Sequence, residues 1–135
     1  MVIRGIEHIN LRAAGKRFAA LRTFYCEVLG LEVGARPPLR SSGLWLYAGR
    51  APIVHLVEVA ETSAGDARGS ESPAFDHVAF ACVGLQRMLA KLQRLGIEHI
   101  LNEVAATGQT QVRVRDPAGL TVELIFELDD SRSPE

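Results

Sequence analysis

Three histidines and one glutamate carry the chemical interest of this chain: His8, His55, His77 and Glu123. Each is a polar interruption in an apolar, strand-like run. Imidazole nitrogens with one carboxylate oxygen suit a borderline divalent cation such as zinc, nickel, cobalt, iron or manganese, and do not suit calcium, which takes oxygen donors. A strand sends alternate side chains to opposite faces. On that rule His8 shares a face with Asn10 and Arg12, away from Ile9 and Leu11. His55 shares one with Ile53, Val57 and Val59, and Glu123 with Thr121 and Ile125, opposite Val122, Leu124 and Phe126. His77 is out of phase with Val78 and Phe80. A carboxylate on so apolar a strand is costly to bury unless it is paired or holds a cation. Taken singly, a strand histidine is more often structural than ligating. His99 is the control: it follows a helix end, lacks a counterpart elsewhere, and reads as a surface residue.

The reason to group the four residues is an internal repeat. Ile6-Glu7-His8-Ile9-Asn10-Leu11 matches Phe75-Asp76-His77-Val78-Ala79-Phe80. Leu29-Gly30-Leu31-Glu32 matches Leu95-Gly96-Ile97-Glu98, and Ile53-Val54-His55-Leu56 matches Thr121-Val122-Glu123-Leu124. The three matches keep their order, and the first and last marked residues are 47 positions apart in one half and 46 in the other. If a pseudo-twofold relates the halves, His8 faces His77 and His55 faces Glu123, bringing four ligands to one axis.

Each half must supply strands and a helix to position these residues. Strand patterns run over 3–12 and 75–82. Phe18, Leu21, Tyr25 and Val28 then fall at helical spacing, as do Leu85, Met88, Leu89, Leu92 and Leu95. Gly30 and Gly96 stand just beyond, where a left-handed residue ends a helix. Three further strands follow in each half, over 31–35, 44–48 and 53–59, then 98–104, 109–115 and 120–126. Asp116-Pro117-Ala118-Gly119 makes a tight turn between the last two. The expected fold is α+β: two tandem βαβββ modules forming a cupped mixed sheet with helices on the outer face. The modules span 1–59 and 74–128. A connection rich in Ala, Gly, Ser and Glu covers 60–73, and a polar tail 129–135.

Composition narrows the function class. With 135 residues, 47% hydrophobic and 23% charged, the chain has the balance of a globular domain with a real core. A formal charge of −1 with interspersed signs gives no nucleic-acid or membrane-surface footprint. Its apolar runs are too short to span a bilayer, and no secretory leader is expected at Met-Val-Ile-Arg-Gly. Cys26 and Cys82 lie in apolar-periodic segments and read as buried free thiols of a reducing compartment, so a cytoplasmic protein is expected.

The residues at 7–12, Phe24-Tyr25 with Val28-Leu29-Gly30-Leu31, Asp76-His77-Val78-Ala79-Phe80, and Asp116-Pro117-Ala118-Gly119 leading to Val122-Glu123-Leu124 resemble the vicinal-oxygen-chelate superfamily. That group includes glyoxalase I, bleomycin- and fosfomycin-resistance proteins, methylmalonyl-CoA epimerase and extradiol dioxygenases. The resemblance runs from Ile3 to Glu127 and implies a metal held in a cup, commonly in a homodimer. The ligand positions it implies are His8, His55, His77 and Glu123, with Glu123 the candidate proton carrier and Asn10 and Arg12 the candidate substrate contacts. Arg12 stands where glyoxalase I carries an arginine that grips glutathione. His55 replaces the usual Glu, and Val59 the usual Asn, so half of that grip is missing. The expected function is a metal-dependent, glyoxalase-like lyase or isomerase acting on a small substrate that chelates through adjacent oxygens. The alternatives are an extradiol-type dioxygenase and a non-catalytic drug- or metabolite-binding protein. Trp45 and Tyr47 are expected in core and dimer packing, with lining of the pocket as the alternative; Gln109 and Gln111, near a strand start, are expected in a solvated loop, with substrate contact as the alternative.

Overall fold

The structure, a computed structural model, describes residues 1–61 and 74–127. Most of the expected connection and all of the expected tail lie outside the described residues. The chain divides into two compact units, Met1–Ser72 and Pro73–Glu135.

In the first unit, strand β1 (Ile9–Ala13) leads into helix α1 (Gly15–Thr23), which continues as a π turn over Phe24–Val28. Strands β2 (Glu32–Gly34), β3 (Ser42–Ala48) and β4 (Ala51–Glu58) follow. The sheet order is β1-β4-β3-β2, with β1 parallel to β4 and the other pairs antiparallel. The second unit repeats this plan. It contains β5 (His77–Cys82), helix α2 (Leu85–Arg94), β6 (Ile100–Val104), β7 (Gln109–Arg115) and β8 (Thr121–Phe126), ordered β5-β8-β7-β6. Two βαβββ modules, each with a four-stranded mixed sheet, are therefore the architecture.

Burial follows the alternation expected of half-buried strands. In β4, Val54 and Leu56 are fully buried on the face that α1 packs against, and His55 lies on the other. In β8, Val122, Leu124 and Phe126 are buried on one face and Glu123 projects from the opposite one. The core of the first unit gathers Leu21, Tyr25, Leu46, Val54 and Leu56, all at most 1% exposed.

Several features differ from the sequence reading. Strand β1 starts at Ile9, not Ile3, and Val2, Ile3 and Ile6 are exposed. Continuing the Ile9–Val54 register upstream would set Glu7 against Pro52, which has no N–H for a ladder. The single helix expected over 18–28 becomes α1 plus the π turn, closed by Leu29 N–H donating to the Phe24 carbonyl. That wider turn buries both Phe24 and Tyr25, whose rings meet edge to face at 5.3 Å. Cys26 and Cys82 are free thiols but only half-buried. Gly30 and Gly96 end their helices at φ 81° and 65°, as the spacing predicted.

Candidate metal centre

The four marked residues occur as two pairs, one in each unit. Asn10 and Trp45 are the register partners of His55 on either side, so β1, β4 and β3 present these residues in a row on one face. His8, just before β1, lays its imidazole over that of His55, with ring centroids 3.9 Å apart. The Trp45 indole covers the other side of His55 at 4.2 Å, with planes 6° from parallel. His55 is thus the middle ring of a three-ring stack.

Burial pushes the His55 pKa down, and the neighbouring His8 adds to the effect; a hydrogen bond to the Pro52 backbone, and Glu7, act in the opposite sense. Both net effects favour a neutral ring, which has one N–H and one lone pair. Proline offers only a carbonyl, so the ring N–H donates there. The His55 Nε2 atom is buried and has no hydrogen-bond partner among the described residues. A buried, unpartnered imidazole nitrogen is costly unless something accepts its lone pair. A divalent cation would do so.

In the second unit β5 and β8 run side by side, and His77 Nε2 lies 3.3 Å from Glu123 Oε2. The other nitrogen, Nδ1, is 2.7 Å from Asp76 Oδ2, and this bond is the main cause holding the Asp76 carboxyl below its usual range. Glu7 stands in the same relation to His8, at 3.5 Å. An acidic residue that engages one ring nitrogen fixes which nitrogen remains for a ligand. The Glu123 side chain is 6% exposed and is neutralised by Arg113, its register partner on β7. Arg113 donates through Nε, at 3.1 Å, and through Nη2 to the same oxygen, Oε1. Oε2 therefore stays on the His77 side.

His8 is brought to His55, and His77 to Glu123; among the described residues there is no group of three or more His, Cys, Asp or Glu side chains placed to hold a metal. The residues fit such an ion by their chemistry: imidazole nitrogens, one buried and bare, and a carboxylate with one oxygen left over. Asn10 and Arg12 are exposed on the His55 face of β1. His99 is exposed, with Nδ1 at 2.9 Å from the Ile97 carbonyl, and takes no part.

Sequence reasoning left Asp76 and Arg113 out of this constellation and favoured packing over pocket lining for Trp45. Trp45 stacks on a candidate ligand. Asp76 was visible in the repeat as the acid before each histidine, and the pairing of Glu7 with His8 could have flagged it. Arg113 carried no signal of its own, because the antiparallel register that sets it against Glu123 depends on the length of the turn at 116–119. Tyr47 donates its hydroxyl to the Ala35 carbonyl, and Gln109 and Gln111 are strand residues bonded to Glu127 and Asn102.

A family model described as the Glyoxalase/Bleomycin resistance protein/Dioxygenase superfamily matches residues 5–124. The chain belongs to that superfamily. A superfamily relative from Arabidopsis thaliana, "Glyoxylase I 4", is 29% identical over 104 residues, covering 75% of this chain and 59% of its own length. The chain thus spans about three-fifths of that relative. The glyoxalase family protein from Enterococcus faecalis has 27% identity and a TM-score of 0.63, over 93% of this chain and 99% of its own. A glyoxylase/bleomycin resistance protein/dioxygenase domain from Frankia sp. EAN1pec reaches a TM-score of 0.70 at 16% identity, over 95% of each chain, a likeness of fold alone.

Proposed function

We propose that the chain is a metal-dependent, glyoxalase-like lyase or isomerase acting on a small substrate that chelates through adjacent oxygens. His8, His55, His77 and Glu123 would hold one divalent ion, of the zinc, nickel, cobalt, iron or manganese type. The observation that carries the reading is the buried, unpartnered Nε2 of a His55 ring that its surroundings keep neutral. The repeat supports it, since His77 and Glu123 occupy the corresponding positions of the second module. When bound, the ion supplies Lewis-acid stabilisation of negative charge on a substrate oxygen.

The chain's own residues do the rest. Trp45 and His8 hold the His55 ring between them, so its plane is set before any ligand arrives. Asp76 engages Nδ1 of His77 and leaves Nε2 to face Glu123. Arg113 occupies Oε1 of Glu123, so Oε2 is the atom able to take a ligand or a proton. Asn10 and Arg12 contact the substrate from β1. A cytoplasmic homodimer belongs to the same reading, and sedimentation equilibrium tests its stoichiometry.

One observation favours a second reading. Arg113 already neutralises Glu123 without a metal ion, which suits a non-catalytic binding protein that needs no metal. Titration with each of the five ions, followed by assay on methylglyoxal with glutathione, separates the two. Metal-dependent turnover that a chelator abolishes supports the enzyme. Metal binding without turnover removes the glyoxalase reaction, and a protein indifferent to all five ions leaves the binder.

A further inference from the structure

The end of β7 carries more positive charge than Glu123 requires. Arg113 and Arg115 project from the same face of the strand, two residues apart. Strand β6 begins opposite Arg113, so Val114 and Arg115 run past its end. There the second unit opens into a cleft of about 1050 Å³, lined by Asp76, Glu98, His99, Arg113, Arg115 and Thr121 among others. Arg113 spends two donors on one oxygen of Glu123, yet its side chain is 49% exposed. A guanidinium has five N–H groups, and the remaining three make no hydrogen bond among the described residues, although the charge of Arg113 is felt by the Asp76 carboxyl. No ion pair among the described residues involves Arg115.

We propose that Arg113 and Arg115 form a carboxylate-binding subsite for the ligand of the metal centre, which makes that ligand a small anion such as a 2-oxo or 2-hydroxy acid. The free edge of Arg113 presents parallel N–H groups that match a planar carboxylate. Glu123 bonds the same guanidinium, so a carboxylate on its outer edge lies one residue from the candidate ligand. The charge balance selects a monoanion. Arg115 is the uncommitted cation, while Asp76 and Glu98 on the cleft wall repel a phosphate dianion. The inference rests on the proposed function only for the ligand's second oxygen. Arg115 acts through the ligand's charge and is distinct from the Arg12 position on β1.

Glycolate and ethylene glycol differ in one carboxylate, which makes them the probes. Each is titrated into the full chain, before and after loading with nickel or zinc, and followed by the backbone amide signals of residues 113–115. Metal content after dialysis is measured on the same samples. The subsite predicts glycolate binding at least about tenfold tighter than ethylene glycol, a preference lost in Arg115→Gln and partly kept in Arg115→Lys. Arg115 is exposed, so these variants leave the core intact. Equal binding of the two probes, or a glycolate preference unchanged in Arg115→Gln, overturns the proposal. Either result alongside one bound metal per chain leaves the proposed function standing. A glycolate preference that depends on Arg115 in a protein binding no metal supports the subsite and removes the metal reading instead.

Discussion

Trp45 offers a direct handle on the residues around His55. It is the single tryptophan of the chain and stacks on His55 at 4.2 Å. Groups that orient a ligand without touching the metal are commonly worth 10- to 100-fold in affinity. Trp45→Ala is therefore expected to weaken nickel binding by about tenfold, with Trp45→Phe retaining most of it. Calorimetric titration checks this, and an unchanged affinity in Trp45→Ala would show that the stack positions nothing. In the native chain a paramagnetic ion bound at His55 should also quench Trp45 emission. At Cys26 burial pushes the thiol pKa up, and Arg22 offsets only part of that. The sign is simple: the reactive thiolate appears only at higher pH than for a free cysteine. Alkylation of Cys26 by iodoacetamide should be slow near pH 7 and rise later than for glutathione, read by peptide mass. The candidate ligands were legible in the sequence because each broke an apolar alternation. Their neighbours Trp45 and Arg113 were not, since a residue two strands away is identified only by register.

At the level of elements, the turn between β7 and β8 sets the register that pairs Arg113 with Glu123. Asp116 is buried and its Oδ1 accepts the N–H groups of Ala118 and Leu120 at 2.8 and 3.0 Å. Asp116→Ala strands both donors, and a loss of about 1–3 kcal/mol is expected, with Asp116→Asn recovering part of it. Urea midpoints read the difference. Gly43 is a second fixed point, because a Cβ there would run into the Leu56 carbonyl on β4. Gly43→Ala should cost about 1–3 kcal/mol by forcing β3 away from β4. In a metal-binding protein it should weaken the metal as well, since β3 carries Trp45. The helices, their glycine stops and most strands were readable from period and punctuation. The start of β1 and the π turn were not, because one depends on Pro52 in a partner strand and the other on burying two adjacent aromatic rings.

For the whole molecule, the repeat predicts more than a shared topology. Corresponding positions on the last strand of each module carry His55 and Glu123, and each is flanked on the next strand by a side chain suited to it. A flat indole covers the neutral imidazole, and a guanidinium meets the carboxylate. The family was legible because the candidate ligand positions and the Asp116-Pro117-Ala118-Gly119 turn are local signals. The substrate was not, because it depends on clefts and rim charges that the sequence does not bring together. The central claim is that the two pairs serve one ion. Equilibrium dialysis against nickel or zinc, with His55→Ala and His77→Ala alongside the native chain, measures it. One ion per chain, lost in both variants alike, is the expected result. Binding that survives either substitution at full stoichiometry would contradict it.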